Sequence, residues 1–343
     1  MDQGFLQHVD ATVHAAVTED QAFGELMPRL MQWSQSVPVP VLNMAMTKMG
    51  EGIAAAPPNL GSFLAVIAGA WVEQGATTFG VDGPVLARTF EVAAIAAGFA
   101  AAWRGATGGA PPDPERDGPS QRIVDTVAGR VADPVEAMMA WFGMEKYALA
   151  AHTMLCRSPE LRASVADRAD KIRLAGSLAE HTDRWVGVAK LLNVLDGERL
   201  LVLDRKSGQG WTVTIGGIGD NFQLHMLLGG ALIGRPGGMP GEPVPADIVA
   251  YFTDTDVPEP PPVTQSPWRL TDAHGGQIFN EGVPADIPAV NGTRVVVLDP
   301  PPYTHSFPAG RHHPMMTGTL TVDGLHLPED LSGWWPHIAP ARG

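Results

Sequence analysis

Residues Trp211 to Ile233 read WTVTIGGIGDNFQLHMLLGGALI, and this stretch limits the fold more tightly than any other in the chain. Trp211, Val213 and Ile215 alternate with Thr212 and Thr214, the period of a strand with one buried and one wetter face. Three glycines (Gly216, Gly217, Gly219) then break the strand, and Asp220 with Gln223 three residues on has the spacing of a helix-capping box. Asn221 is a second capping candidate. A strand, a tight turn and a capped helix therefore meet at one corner. Helical pattern precedes this corner, and proline-rich, strand-bearing sequence follows it. The fold class expected is α+β, an N-terminal all-α layer or bundle over 1–192 and a small unit with antiparallel strands over 193–343.

The helical half is read from periodicity and caps. Leu60, Phe63, Leu64, Ile67 and Trp71 recur at helical spacing, and Pro84 is read as opening a second, alanine-rich helix through Phe90, Ile95 and Phe99. Small alanine faces predict that these two pack as a pair. Residues 105–121 are too rich in Pro and Gly for either regular ladder. Asp133-Pro134-Val135-Glu136 is a helix start, with a capping Asp, a first-turn Pro and a Glu that can reach back. That helix is expected to run to Arg157 and, being apolar nearly all round, to lie in the middle of the bundle. A further helix is expected over Asp183 to Leu195.

In the second half, Arg199 to Asp204 and Trp211 to Ile215 read as a hairpin, and Asn291-Gly292 carries a two-residue turn before the strand Arg294 to Leu298. Met316 to Val322 is a further strand. Residues 234–247 and 257–267 are connectors.

Composition narrows the function classes. The 343 residues carry a net charge of −14 with 17% charged side chains, which opposes binding to nucleic acid or anionic membranes. The one cysteine, Cys156, fits a reducing, cytoplasmic compartment. The N-terminus lacks a basic, apolar leader, and the apolar runs Phe63–Val72 and Val92–Trp103 read as buried helices too short to span a bilayer.

Five places could carry chemistry. On the helix from Pro134, Glu145 and His152 share a stripe with Cys156, and a buried Glu or His must be paired or shifted in pKa. His152 and Cys156, four residues apart, could share a metal, but two ligands do not make a site, and no metal is assigned. At the corner, Asp220, Asn221, Gln223 and His225 lie beside a glycine turn whose free amides would suit an anion, but Asp220 itself competes for that place and the stretch reads as an ordinary strand–turn–helix corner with a carboxylate cap. Tyr303, His305, Arg311, His312 and His313 form a loop rich in imidazole, read as a ligand-contacting rim. Asn280, Glu281 and Asp286 place polar and acidic groups on another loop. Trp334 and Trp335, with the segment 258–263 (PEPPPV), look like exposed contact surface.

Asp299-Pro300-Pro301-Pro302-Tyr303 after a strand resembles the motif of amino-group methyltransferases. The third proline displaces Tyr303, and no acidic residue precedes the glycines at 216–219. Three segments, 188–204, 216–234 and 280–303, together resemble a family of soluble actinobacterial proteins. No activity attaches to that family, so the resemblance transfers no functional residue.

Two functions remain. One is a binding or accessory protein that engages a peptide, protein or small molecule through the C-terminal unit and the seam between the regions. The other is an enzyme with a His and carboxylate site at that boundary, using Glu145, His152, Asp220 or His225. Homo-oligomerisation would also cover exposed apolar surface. No cofactor is named by any motif.

Overall fold

The computed structural model describes residues 2–253, 262–310, 313 and 315–342. It is α+β: an N-terminal helical region is followed by a mixed sheet. The chain divides into two compact units, Met1–Leu192 and Asn193–Gly343.

The first unit is helical throughout. It comprises α1 (Asp2–Val17), α2 (Phe23–Ser34), α3 (Val39–Ala55), α4 (Pro58–Glu73) and α5 (Asp82–Thr107). It continues with α6 (Gln121–Val127), α7 (Pro134–Arg157), α8 (Pro159–Ser164), α9 (Arg168–Ala179) and α10 (Asp183–Leu192). The Asp133 carboxylate accepts from the amides of Val135 and Glu136, each at 2.9 Å, so the cap read from sequence is made. Trp141, Met144, Tyr147, Ala148, Ala151 and Leu155 of α7 are all without exposed surface. Its neighbours include α4, α5, α6, α8 and α10. The expected pairing of α4 with α5 is corrected by this arrangement, because both pack on α7. Small residues explain the approach to α4: a Cβ on Gly69 would lie 3.5 Å from Ala150 Cα, and one on Gly143 would lie 3.4 Å from the Pro58 carbonyl.

The second apolar run is also longer than expected. It belongs to α5, which begins at Asp82 rather than Pro84 and spans 26 residues. Among the described residues, α5 is the one helix long and apolar enough to cross a membrane. Half of its most apolar stretch is buried within the protein, and Arg88, Glu91 and Arg104 lie along it.

The second unit holds β1 (Asp196–Asp204), β2 (Gly210–Gly216), α11 (Asn221–Leu232), α12 (Ala246–Thr253), β3 (Val263–Gln265) and β4 (Arg269–Asp272). Then come β5 (Ala289–Val290), β6 (Thr293–Asp299), β7 (Ser306–Pro308) and β8 (Thr319–His326). Six strands form one sheet in the order β4-β6-β1-β2-β8, with β5 also on β6, while β3 and β7 pair separately. Asn291 (φ 50°) and Gly292 (φ 78°) make the β5–β6 turn, the left-handed pair that a two-residue hairpin needs. The expected hairpin of β1 and β2 is present. Beside it, β1 runs parallel to β6, with Leu200 opposite Arg294 and Asp204 opposite Leu298. The last strand lies over 319–326, a few residues beyond the expected Met316–Val322.

Both central strands are buried on both faces, which is why they read as continuous apolar runs, RLLVLD and RVVVLD. Leu200, Val202, Val296 and Leu298 join a core with Leu224, Leu228 and Leu232 of α11 and Phe252 of α12. Leu201, Leu203, Val295 and Val297 face the other way, onto Leu331 and Ile338, with Trp334 and Trp335 packed against them. The two tryptophans are therefore half-buried cover for the sheet, a correction to their reading as an exposed contact surface. Of PEPPPV, residues 258–261 lie outside the described residues.

Leu331 is 2% exposed at the centre of this second layer. Leu331→Ala is expected to cost about 2–5 kcal/mol of stability, measured by denaturant unfolding. A loss under about 0.5 kcal/mol would show that the C-terminal segment is not part of the core.

Candidate functional site

The corner after β2 is built from backbone commitments. Gly217 sits at φ 63°, and a Cβ there would lie 2.3 Å from the Thr317 carbonyl, so the turn is filled by its own chain. Asp220 caps α11, its Oδ1 accepting from the Gln223 amide at 2.8 Å. Gln223 reaches back one residue further than a capping box requires: its Oε1 accepts from the Gly219 amide at 2.9 Å, and its Nε2 donates to the Phe252 carbonyl at 2.6 Å.

The two remaining first-turn amides of α11 hold a loop. Asn221 N–H donates to the Gly282 carbonyl at 2.9 Å and Phe222 N–H to the Asn280 carbonyl at 3.0 Å. The Asn221 side chain adds a bond from Nδ2 to the Phe279 carbonyl at 2.9 Å. The positive end of the helix is thus occupied by carbonyls of residues 279–282 as well as by the Asp220 carboxylate, so the corner is the ordinary capped one read from sequence and its amides are not open to an anion. Asp220, Asn221 and Gln223 are buried and build this corner.

One turn into α11, His225 is 2% exposed at the edge of a cleft of about 510 Å³. Its Nε2 lies 3.1 Å from Ser266 Oγ and its Nδ1 lies 3.5 Å from Asn280 Oδ1. Ser266 is fixed from two sides, its amide donating to the His305 carbonyl at 2.8 Å and its hydroxyl to the Trp268 carbonyl at 2.7 Å. The imidazole lies almost parallel to the Trp268 ring, 12° between planes and 6.0 Å between centroids. Trp268, Phe279, Tyr303, His305, Pro301 and Pro302 supply apolar or aromatic walls, with Arg269, Glu281 and Asn280 among them. Phe279 and Tyr303 are 64% and 70% exposed.

Burial pulls the His225 pKa down to about 4. The Asn280 hydrogen bond opposes this and His305 adds to it. The ring is neutral at pH 7, and one nitrogen must therefore accept while the other donates.

The other sequence candidates are placed elsewhere. Tyr303 and His305 line the same cleft as His225, whereas Arg311 and His312 lie outside the described residues. His313 is buried over Gly219. Asp299 of the DPPPY segment is 4% exposed and accepts from Arg205 and from Thr271 Oγ1, the latter at 2.6 Å. Those bonds tie it into the sheet.

Glu145 belongs to the first unit and is 7% exposed. It accepts from Thr182 Oγ1, and Arg184 Nε stands 3.1 Å from Oε2 as an ion pair, without the angle of a hydrogen bond. Burial raises its pKa, Thr182 and Arg184 oppose the rise, and Glu115 and Asp113 reinforce it. These groups border a polar cleft of about 580 Å³ with His181, Glu180 and Asp183. His152 is seven residues further along α7, half-buried, with Nδ1 3.9 Å from Cys156 Sγ. Burial pushes the Cys156 thiol up to about 12, so it is not a thiolate at neutral pH.

Sequence reading missed Ser266, Trp268 and Phe279. Ser266 sits in Gln265-Ser266-Pro267, which matches no nucleophile motif, and only the fold brings it to His225. Comparison with known proteins finds no matching family model, no matching curated protein and no matching solved structure.

The depressed His225 pKa has a sign. An unfolded imidazole takes up its proton near 6.5, but the folded one holds it off until about 4. The stability it contributes is full above pH 6.5 and is lost as the pH falls toward 4, by up to about 3 kcal/mol. Unfolding free energies of the wild type and of His225→Gln, compared across pH 7 to 4, are expected to diverge by that amount. Parallel curves would show that the ring is not desolvated.

Proposed function

We propose that the C-terminal unit binds a small molecule with a flat, apolar body in the cleft beside His225. The observation that carries this is the lining: aromatic and proline walls around about 510 Å³, with a hydrogen-bonded group of Ser266, His225 and Asn280 among them. Ligand sites are concave and combine apolar walls with fixed polar groups, and this cleft combines both, its polar groups being as many as its apolar ones. Neutral His225, Ser266 and Asn280 offer a ligand both donors and acceptors, and Arg269 and Glu281 on the same lining offer charge. The exposed rings of Phe279 and Tyr303 are the surfaces a flat ligand would cover.

A cytoplasmic setting is proposed with it. The support is a single buried free thiol, Cys156, and the burial of half of the most apolar stretch of α5.

The test uses planar heteroaromatic fragments, quinoline and indole among them, followed by ligand-observed NMR. Phe279→Ala and Tyr303→Ala remove exposed rings and leave the core intact. Each is expected to weaken binding about 3- to 10-fold, the worth of one aromatic contact. Equal binding by both variants and the wild type would contradict the reading.

A further inference from the structure

We infer that Ser266 is a nucleophile, with His225 as its base and Asn280 as the residue that positions that base. The substrate class is an ester or other activated acyl compound with a flat aromatic part. The inference rests on the cleft reading above and adds a reaction to it.

Three side chains from separate segments form one hydrogen-bonded line, Ser266 Oγ to His225 Nε2 and His225 Nδ1 to Asn280 Oδ1. The 3.1 Å spacing is within reach for proton transfer from a hydroxyl to an imidazole. The 3.5 Å spacing is looser, and Asn280 is held there through its own carbonyl by the Phe222 amide. Ser266 borders the cleft and is half-buried. Its hydroxyl also bonds the Trp268 carbonyl at 2.7 Å, so turning its hydrogen to Nε2 needs only rotation about the Cβ–Oγ bond. With Nδ1 protonated and donating to Asn280 Oδ1, the lone pair of Nε2 faces the hydroxyl.

The step balances without a further reagent except water. Ser266 Oγ bonds to the carbonyl carbon as its proton passes to His225 Nε2. The carbon–oxygen bond to the leaving group breaks, and the leaving alcohol takes that proton from Nε2. Water then gives a proton to Nε2 and its oxygen to the acyl carbon, and Ser266 departs with the proton. A neutral imidazole of low basicity restricts the reaction to activated acyl groups.

The full-length protein is treated with a fluorophosphonate, whose P–F bond is displaced by a nucleophilic serine hydroxyl. The adduct is mapped by peptide mass spectrometry. One adduct is expected at Ser266, none in Ser266→Ala, and labelling about a hundredfold slower in Asn280→Ala. His305, Tyr303, Glu281 and Arg269 are the titratable or charged groups that share the cleft with His225. The wild-type rate is expected to stay level down to about pH 5 and fall as His225 protonates near 4. In Asn280→Ala that fall moves to lower pH, because the lost hydrogen bond had held the pKa up. A purely structural Asn280 would slow nothing and leave the profile in place. Labelling that persists in Ser266→Ala overturns the inference. So does a wild type that binds quinoline but takes no label, and that outcome leaves the cleft standing. Label on Ser266 without fragment binding would keep the nucleophile and remove the flat-ligand reading.

Discussion

The C-terminal unit depends on how α11 begins. Three backbone N–H groups at its start have no partner within the helix, and each one left buried and unmet would cost about 1–3 kcal/mol. The protein spends one on the Asp220 carboxylate and the other two on carbonyls of the 279–282 loop. That commitment brings a segment some sixty residues away onto the first turn of the helix. Because Asn280 gives its carbonyl to the Phe222 amide, its side chain is delivered to His225. The same helix start also fixes Gln223, which ties the glycine turn to the end of α12. The cleft follows from satisfying a helix terminus.

His225 and Glu145 show one cause acting in opposite directions. Burial disfavours the charged form of each, lowering the pKa of the histidine and raising that of the glutamate. Their surroundings differ. Glu145 stands in a polar cleft bordered by Asp113, Glu115, Glu180 and Asp183, with Arg184 and Thr182 offsetting part of its burial cost. His225 stands among aromatic rings with neutral hydrogen-bond partners on both nitrogens. The second arrangement sets apolar area beside oriented neutral polar groups.

Features set by neighbouring residues were legible in the sequence. The Asp133 cap, the start and end of α7, the Asn291-Gly292 turn and the Asp220 cap each rest on residues a few positions apart. Features set by distant pairing were not. The apolar runs of β1 and β6 marked both as buried strands, but their parallel register joins segments about ninety residues apart. Asn280 stands out in the sequence only for its carboxylate neighbours, and its tie to α11 has no local signature. Ser266 stood between Gln265 and Pro267 with nothing to mark it. Trp334 and Trp335 look like surface in the sequence, which does not show which face of the sheet lacks a cover. The capped corner at Asp220 is legible for a local reason, whereas the carbonyls that occupy the Asn221 and Phe222 amides come from elsewhere in the chain.

The central claim is that the Asn221 and Phe222 amides are locked onto the 279–282 loop. Amide hydrogen exchange followed by NMR tests it most directly, because an N–H at an open helix end exchanges far faster than one held in a buried bond. Both amides are expected to exchange as slowly as those in the middle of α11, and to speed up together when Asn280 and Gly282 are deleted. Rapid exchange of Phe222 beside a protected Leu224 would mean the loop is not seated on the helix, and the geometry around His225 would fall with it.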